Sequence, residues 1–262
     1  MGFFYFDESI HPRGSFTLGA FAYSKESLDL PVSDALRQNG LIPGMHEFKS
    51  GTRMDKNPVQ AKVRDMLKSV INSHCRIGLV VAPDSPRQLL GHEAVLGLEK
   101  ILSMNDFETP IQEVFFDQGI FETLPYAHQR AAQMSSSSKA ACNLHFEQNS
   151  REVMGLQVAD LIAHMCATML LAQLGLITKK VKVGENSGYD PDLDVELEFE
   201  LWATLRWKFF ALGPPPYDTW KSQLDFQVDV ASSGLHVAAA CDPGVRDAAL
   251  NRFGRMYLGC IH

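Results

Sequence analysis

GFFYFDESIHPRGSFTLGAFAY, residues 2–23, is the stretch on which the fold of this 262-residue chain turns. Phe3-Phe4-Tyr5-Phe6 is an aromatic run of high β-propensity that stops at Asp7-Glu8-Ser9. Pro12-Arg13-Gly14 reads as a turn, and SFTLGAFAY at 15–23 as a second strand, so the pair predicts an antiparallel hairpin. A helix is expected at 26–38, followed by a loop through Gly40, Pro43 and Gly44. Asn57-Pro58 marks a helix start, with Asn as cap and Pro in the first turn. Val59, Val63, Met66, Leu67 and Val70 mark its apolar face.

From there strands and helices alternate. RIGLVVA at 76–82 reads as a buried strand, and Ser85-Pro86 opens another helix running to Ser103. IQEVFFD at 111–117 is a strand ending on an acid. A helix at 121–134, a Ser-rich loop at 135–138, a short strand at 143–147 and a long helix at 151–174 follow. Asn149 with Glu152 three places later resembles a capping box for that last helix. A hairpin followed by helix–strand alternation argues for a mixed sheet with helices on both faces. Beyond residue 176 the character changes: KKVKVGENSGYDPD reads as a loop, 192–212 as an amphipathic helix ended by Gly213 and Pro214, and 217–262 as weakly patterned. The expected division is a core domain at 1–175 and a C-terminal helical or irregular extension at 176–262 packed on it.

Composition narrows the functional classes. At 45% hydrophobic and 21% charged the chain can bury a sizeable core. Its 24 basic and 31 acidic residues give a net charge of −7, which argues against attachment to nucleic acid or anionic membrane by bulk charge. Residues 183–201 hold seven acids and no base, so the remainder carries 24 of each sign. The five scattered cysteines form no CxxC pair, and neither a disulfide framework nor a zinc site is indicated. MGFFYFDES lacks the basic-then-apolar pattern of a secretory leader, and Phe6 stands where myristoylation prefers Ser or Thr. The apolar run 153–177 is interrupted by Gln157, Asp160 and His164, which disfavours a membrane span. A cytoplasmic setting without membrane attachment is expected.

Three acids carry the chemistry. Asp7 and Asp117 each close an aromatic strand, FFYFD and EVFFD, and Asp160 lies in the most apolar helix. An ionised carboxylate resists burial, and two strand-end carboxylates side by side need a proton or a divalent metal between them. The alternative is that each aspartate merely starts a turn. Gln157, Asp160, His164 and Thr168 share one stripe of the apolar helix, where either a hydrogen-bond network or a cation must satisfy them. For His164 the network is the better account; for Asp160, an acceptor only, the cation is. Glu47 and Lys49 in MHEFKS supply another acid–base pair. Around them, residues 41–80 carry seven Lys/Arg against three acids, an excess that suits a phosphate backbone or a solvated helix face equally. Walker-type loops, GxGxxG, HExxH and GxSxG elbows are absent, and Ser9 and the serines at 135–138 lack an obvious His–acid pairing.

FYFDES with the strand after it, HEFKS, VFFD and above all GLQVADLIA resemble the domain-of-unknown-function 3800 family, a branch of the ribonuclease-H-like superfamily. The resemblance spans residues 2–175; the chain departs from the family pattern at Ile10, where glycine is usual, and in placing helices before the third strand of the opening meander. It implies an α/β fold with a mixed five-stranded sheet flanked by helices. It also implies Asp7, Glu47, Asp117 and Asp160 as an acidic catalytic and metal-binding set, supported by Glu8, Ser9, Lys49, Gln157 and His164. Two Mg²⁺ or Mn²⁺ ions would serve phosphodiester hydrolysis of DNA or RNA, with no organic cofactor. Lys49, Arg53, Lys56 and Lys62 are the candidates for contact with substrate. The alternatives are a non-catalytic nucleic-acid- or protein-binding module on the same fold, and a hydrolase of small phosphoesters.

Overall fold

β1 (Gly2–His11) and β2 (Phe16–Ser24) form the expected hairpin in the computed structural model, closed by a short 3-10 turn at Pro12–Gly14. The structure describes residues 1–84, 89–134, 139–183, 190–213 and 226–259. After β2 come α1 (Asp29–Gln38) and α2 (Pro58–His74). Asn57 caps α2 as its sequence predicts, its side-chain oxygen accepting from the Gln60 N–H at 3.2 Å. β3 (Arg76–Pro83) then pairs antiparallel with β2, so the meander is completed by a strand reached through two helices.

α3 (Leu90–Met104) leads to β4 (Ile111–Asp117), and α4 (Leu124–Ala132) to β5 (Ala141–Gln148). β4 adds parallel to β1, and β5 parallel to β4. An antiparallel meander extended by two parallel strands, with helices over its faces, is the mixed sheet expected of a ribonuclease-H-like chain. The helix start at Ser85-Pro86 and the serines at 135–138 lie outside the described residues. α5 (Gly155–Gln173) begins six residues after Asn149, so no capping box forms. The Asn149 side chain instead accepts from the Arg151 N–H at 2.9 Å, in a turn that turns Ser150 toward α5.

The C-terminal residues contribute a sixth strand. β6 (Lys180–Lys182) pairs with β7 (Asp194–Glu196), and α6 (Leu197–Leu205) follows. The helix expected over 192–212 is therefore only nine residues long. The alternating acids before it act as a strand because Asp194 and Glu196 stand opposite Lys182 and Lys180, with Lys182–Asp194 at 3.2 Å. β8 (Gln227–Asp229), β9 (Leu235–Val237), α7 (Pro243–Ala249) and β10 (Arg255–Tyr257) complete the described chain. β9 runs parallel to β3, giving the order β5-β4-β1-β2-β3-β9. Ile77 of β3 also exchanges backbone hydrogen bonds with Lys208 and Phe210, both at 2.8 Å, so its edge is covered along two stretches.

β1 is buried on both faces. Phe4 and Phe6 point into an aromatic core with Phe21 and Phe116, the Phe6–Phe21 and Phe6–Phe116 centroids 4.6 and 5.7 Å apart. Tyr5 points the other way, under α5, with its hydroxyl accepting from the Leu28 N–H at 3.1 Å. α5 has the length and apolar character of a membrane-crossing helix, but most of it is buried against β1 and β2. Gly155 lets it approach: a Cβ there would stand 2.3 Å from the Tyr5 ring. Replacing Gly155 by Ala should destabilise the protein by about 1–3 kcal/mol through overpacking. A lowered denaturant midpoint with an unchanged slope checks this, and an unchanged midpoint contradicts it.

Candidate metal centre

Parallel pairing of β1 with β4 brings Asp7 and Asp117 together. Asp117 ends β4 as expected, but β1 runs on to His11 because its pairing with β2 continues, so Asp7 lies within its strand where the pairing with β4 stops. Tyr5 stands opposite Phe115 and Phe6 opposite Phe116, and Asp7 and Asp117 are the next residues of their strands. With Glu8, they place carboxylate oxygens within 4.8 Å of one another. Asp7 is 6% exposed. Burial foremost, then the charges of Asp117, Glu8 and Asp160, holds its carboxyl well above the usual range, although the Glu8 N–H donates to it at 2.7 Å. β5 bulges beside this group: after Phe115 faces His145, Asp117 faces Gln148, so one extra residue is accommodated. Glu147, in the bulge, takes φ of 54° and accepts from the Gly119 N–H at 2.9 Å, tying down the loop that follows Asp117.

The polar stripe of α5 serves the HEFKS segment. Asp160 accepts from the Ser50 N–H at 2.8 Å and also from the Ser50 hydroxyl. Gln157, 1% exposed, accepts from the Phe48 N–H at 2.7 Å and donates to the Ser150 carbonyl at 2.8 Å. From α2, Gln60 accepts from the Lys49 N–H at 3.2 Å and donates to the Glu47 carbonyl at 2.9 Å. Three side chains thus clamp residues 47–50 through their backbone. Asp160 is not among the three carboxylates that gather within 4.8 Å, and its oxygens accept two hydrogen bonds from Ser50.

Glu47 also stands outside that group. Its carboxylate accepts from the Ser150 hydroxyl at 2.6 Å and pairs with Arg151 at 3.3 Å and Lys49 at 3.4 Å. Burial pushes its carboxyl up, but the Ser150 hydroxyl, Lys49 and Arg151 outweigh this and hold it below the usual range. Lys49 is the cation shared by the whole ensemble: burial pulls its ammonium down, yet Glu47, Asp160, Asp7 and Asp117 together raise it. Arg53 is paired with Asp55 at 2.6 Å, and Lys56 and Lys62 are exposed on the surface.

The Ser9 hydroxyl lies 2.9 Å from the His11 ring, but among the described contacts no acid completes a His–acid pairing there. Burial, His164 and Arg13 hold His11 down to about 4, which leaves it a poor base at neutral pH. Ser50, Ser150, Gln60 and Glu147 were not legible as site residues. Only Ser50 carried a signal, as the last residue of HEFKS; the bonds of Ser50 and Ser150 to their partners span more than 100 residues of sequence.

No family model matches the chain, and no curated protein matches it. Among solved structures, the crystal structure of the ribonuclease H2 from Pyrococcus horikoshii is similar at 15% identity and a TM-score of 0.34, covering 62% of this chain and 70% of that one. The antiparallel meander with two added parallel strands agrees with the fold that the sequence resemblance implies. The donor set fits a hard divalent cation: three carboxylates, one of them buried and raised by its neighbours, with neither Cys nor His among them.

Because the Asp7 carboxyl is raised in the folded chain, the stability it contributes is full below the usual aspartate pKa and is lost as pH rises through its folded value. In EDTA at pH 7, Asp7→Asn should therefore melt higher than the parent, by about 2–4 °C for each kcal/mol of repulsion relieved. The gap should close as pH falls toward 4. A variant that melts at or below the parent at every pH contradicts this electrostatic account.

Proposed function

We propose that the protein is a divalent-metal-dependent hydrolase of nucleic-acid phosphodiester bonds, related to the domain-of-unknown-function 3800 family. The observation that carries this reading is the group Asp7, Glu8 and Asp117, whose carboxylate oxygens gather within 4.8 Å where the parallel pairing of β1 and β4 stops. Such a concentration of charge around a buried aspartate is costly unless a cation neutralises it. Mg²⁺ or Mn²⁺ suits the donors, and when bound supplies Lewis acidity and a water activated at neutral pH. Asp7, Glu8 and Asp117 would hold it. For the second ion of the expected pair the remaining candidate ligand is Asp160, whose oxygens Ser50 occupies.

The other residues work as supports. Gln157, Asp160 and Gln60 fix the backbone of 47–50, which sets the direction of the Lys49 side chain. Lys49, about half exposed, presents its ammonium to a phosphate oxygen brought to the acids. Unpaired thiols at Cys75, Cys142, Cys166 and Cys241 suit a reducing, cytoplasmic setting. One observation favours the alternative of a non-catalytic binding module: Glu47 and Asp160, two of the four expected ligands, are already satisfied by protein groups.

Cleavage assays on single- and double-stranded DNA and RNA with Mg²⁺ or Mn²⁺ separate the readings. Asp7→Asn and Asp117→Asn should bring cleavage to background, whereas Asp160→Asn, acting through Ser50, should lose about 10–100-fold. Full activity in both Asp7→Asn and Asp117→Asn would sink the hydrolase reading, and an inert parent chain would leave the binding module.

A further inference from the structure

Ser50, which Asp160 holds by backbone and hydroxyl, also lines a cavity of about 690 Å³ between α2, α5, α6, β6 and the loop at 50–55. That volume lies within the range of about 300–1,000 Å³ typical of sites for small organic ligands. Five bases line it: Arg53, Arg64, Lys68, Lys179 and Lys182. They come from three separate stretches of chain, so only the fold assembles them. Two acids share the wall, Asp55 on Arg53 at 2.6 Å and Glu200 on Lys68 at 2.8 Å. Arg64 and Lys182 meet Asp65 and Asp194, which do not line the cavity. Counting those partners, four of the five bases are ion-paired, and among the described residues the wall and its pairs carry a net positive charge of one in a concave surface.

The remaining lining is of a different kind. Met54, Val181 and Leu197, each half-buried, supply apolar surface over the buried Leu161, Met165 and Leu201, and His164 and Thr168 add polar groups beside it. A ligand that satisfies both parts carries phosphate at one end and a flat apolar ring at the other.

We infer that this cavity binds a phosphorylated nucleoside, its phosphates among the Arg64, Lys179 and Lys182 cations and its base against Met54, Val181 and Leu197. The same chemistry is offered by a free nucleotide and by one unit of a nucleic-acid strand passing the acids. The site is built from residues other than Asp7, Glu8 and Asp117, so it stands apart from the hydrolase reading and deepens it only if the strand is the source.

The test is calorimetric titration of the full-length chain with ADP in EDTA, where cleavage is silent, followed by competition with a short single-stranded oligonucleotide. ADP should bind, and Arg64→Glu and Lys179→Glu should each weaken it about tenfold or more without changing the melting temperature. Lys179→Gln should give a smaller loss, and Asp117→Asn none. Displacement of ADP by the oligonucleotide supports the site and assigns it to the strand; ADP binding that the oligonucleotide does not displace supports it as a free-nucleotide site. Absence of ADP binding, or binding indifferent to both charge reversals, overturns it. A chain that binds ADP but cleaves nothing with Mg²⁺ or Mn²⁺ defeats the hydrolase reading alone.

Discussion

Mutual repulsion between Asp7 and its neighbouring carboxylates is the interaction around which this molecule is arranged. β1 lies inside the sheet, covered by the aromatic core on one face and by α5 on the other, so position 7 within it is an expensive place for a negative charge. The chain nevertheless adds Asp117 from the adjacent parallel strand and Glu8 from the next position. Nothing in the packing of β1 requires those acids, since the aromatic residues before them already fill both faces. A sheet that spends stability in this way within two of its inner strands is poised to receive positive charge there.

Positive charge reaches the site in two ways. Lys49 lies in the field of Glu47, Asp160, Asp7 and Asp117, and its position is set by a segment clamped from two helices. Farther along α5, the basic cavity is built by residues on both sides of the presumed core boundary, with Lys179 and Lys182 meeting Arg64 and Lys68. The acidic stretch after residue 183 has a partial explanation in the same region: Asp194 and Glu200 pair with Lys182 and Lys68. A net charge of −7 therefore coexists with a locally cationic wall.

The hairpin and the strand–helix alternation were legible because burial writes itself into sequence as period and residue type. EVFFD announces correctly that Asp117 ends a buried strand, whereas FFYFD misleads, since β1 continues through Asp7 to His11 on its pairing with β2, and only the parallel register makes the two acids neighbours. Side-chain partners across long separations were not legible. The sequence marks Asp160 and Glu47 as acids but does not show that Ser50, 110 residues away, donates to the first, or that Ser150 and Arg151 meet the second. The basic excess at 41–80 divides: Arg53 and Arg64 are matched by local acids, yet both still face the cavity. β9 was hidden because three residues are too few to show a period, and β7 because its alternation ran on into a helix.

The central claim is that Asp7, Glu8 and Asp117 form a divalent-cation site. A crystal of the protein soaked in Mn²⁺, with anomalous scattering recorded to locate the ion, tests it most directly. The account predicts an ion bonded to oxygens of all three carboxylates at about 2.0–2.3 Å, with Glu47 still on Ser150. A soaked crystal in which those carboxylates hold no ion, or in which the ion sits on Glu47 away from Asp7, would contradict it.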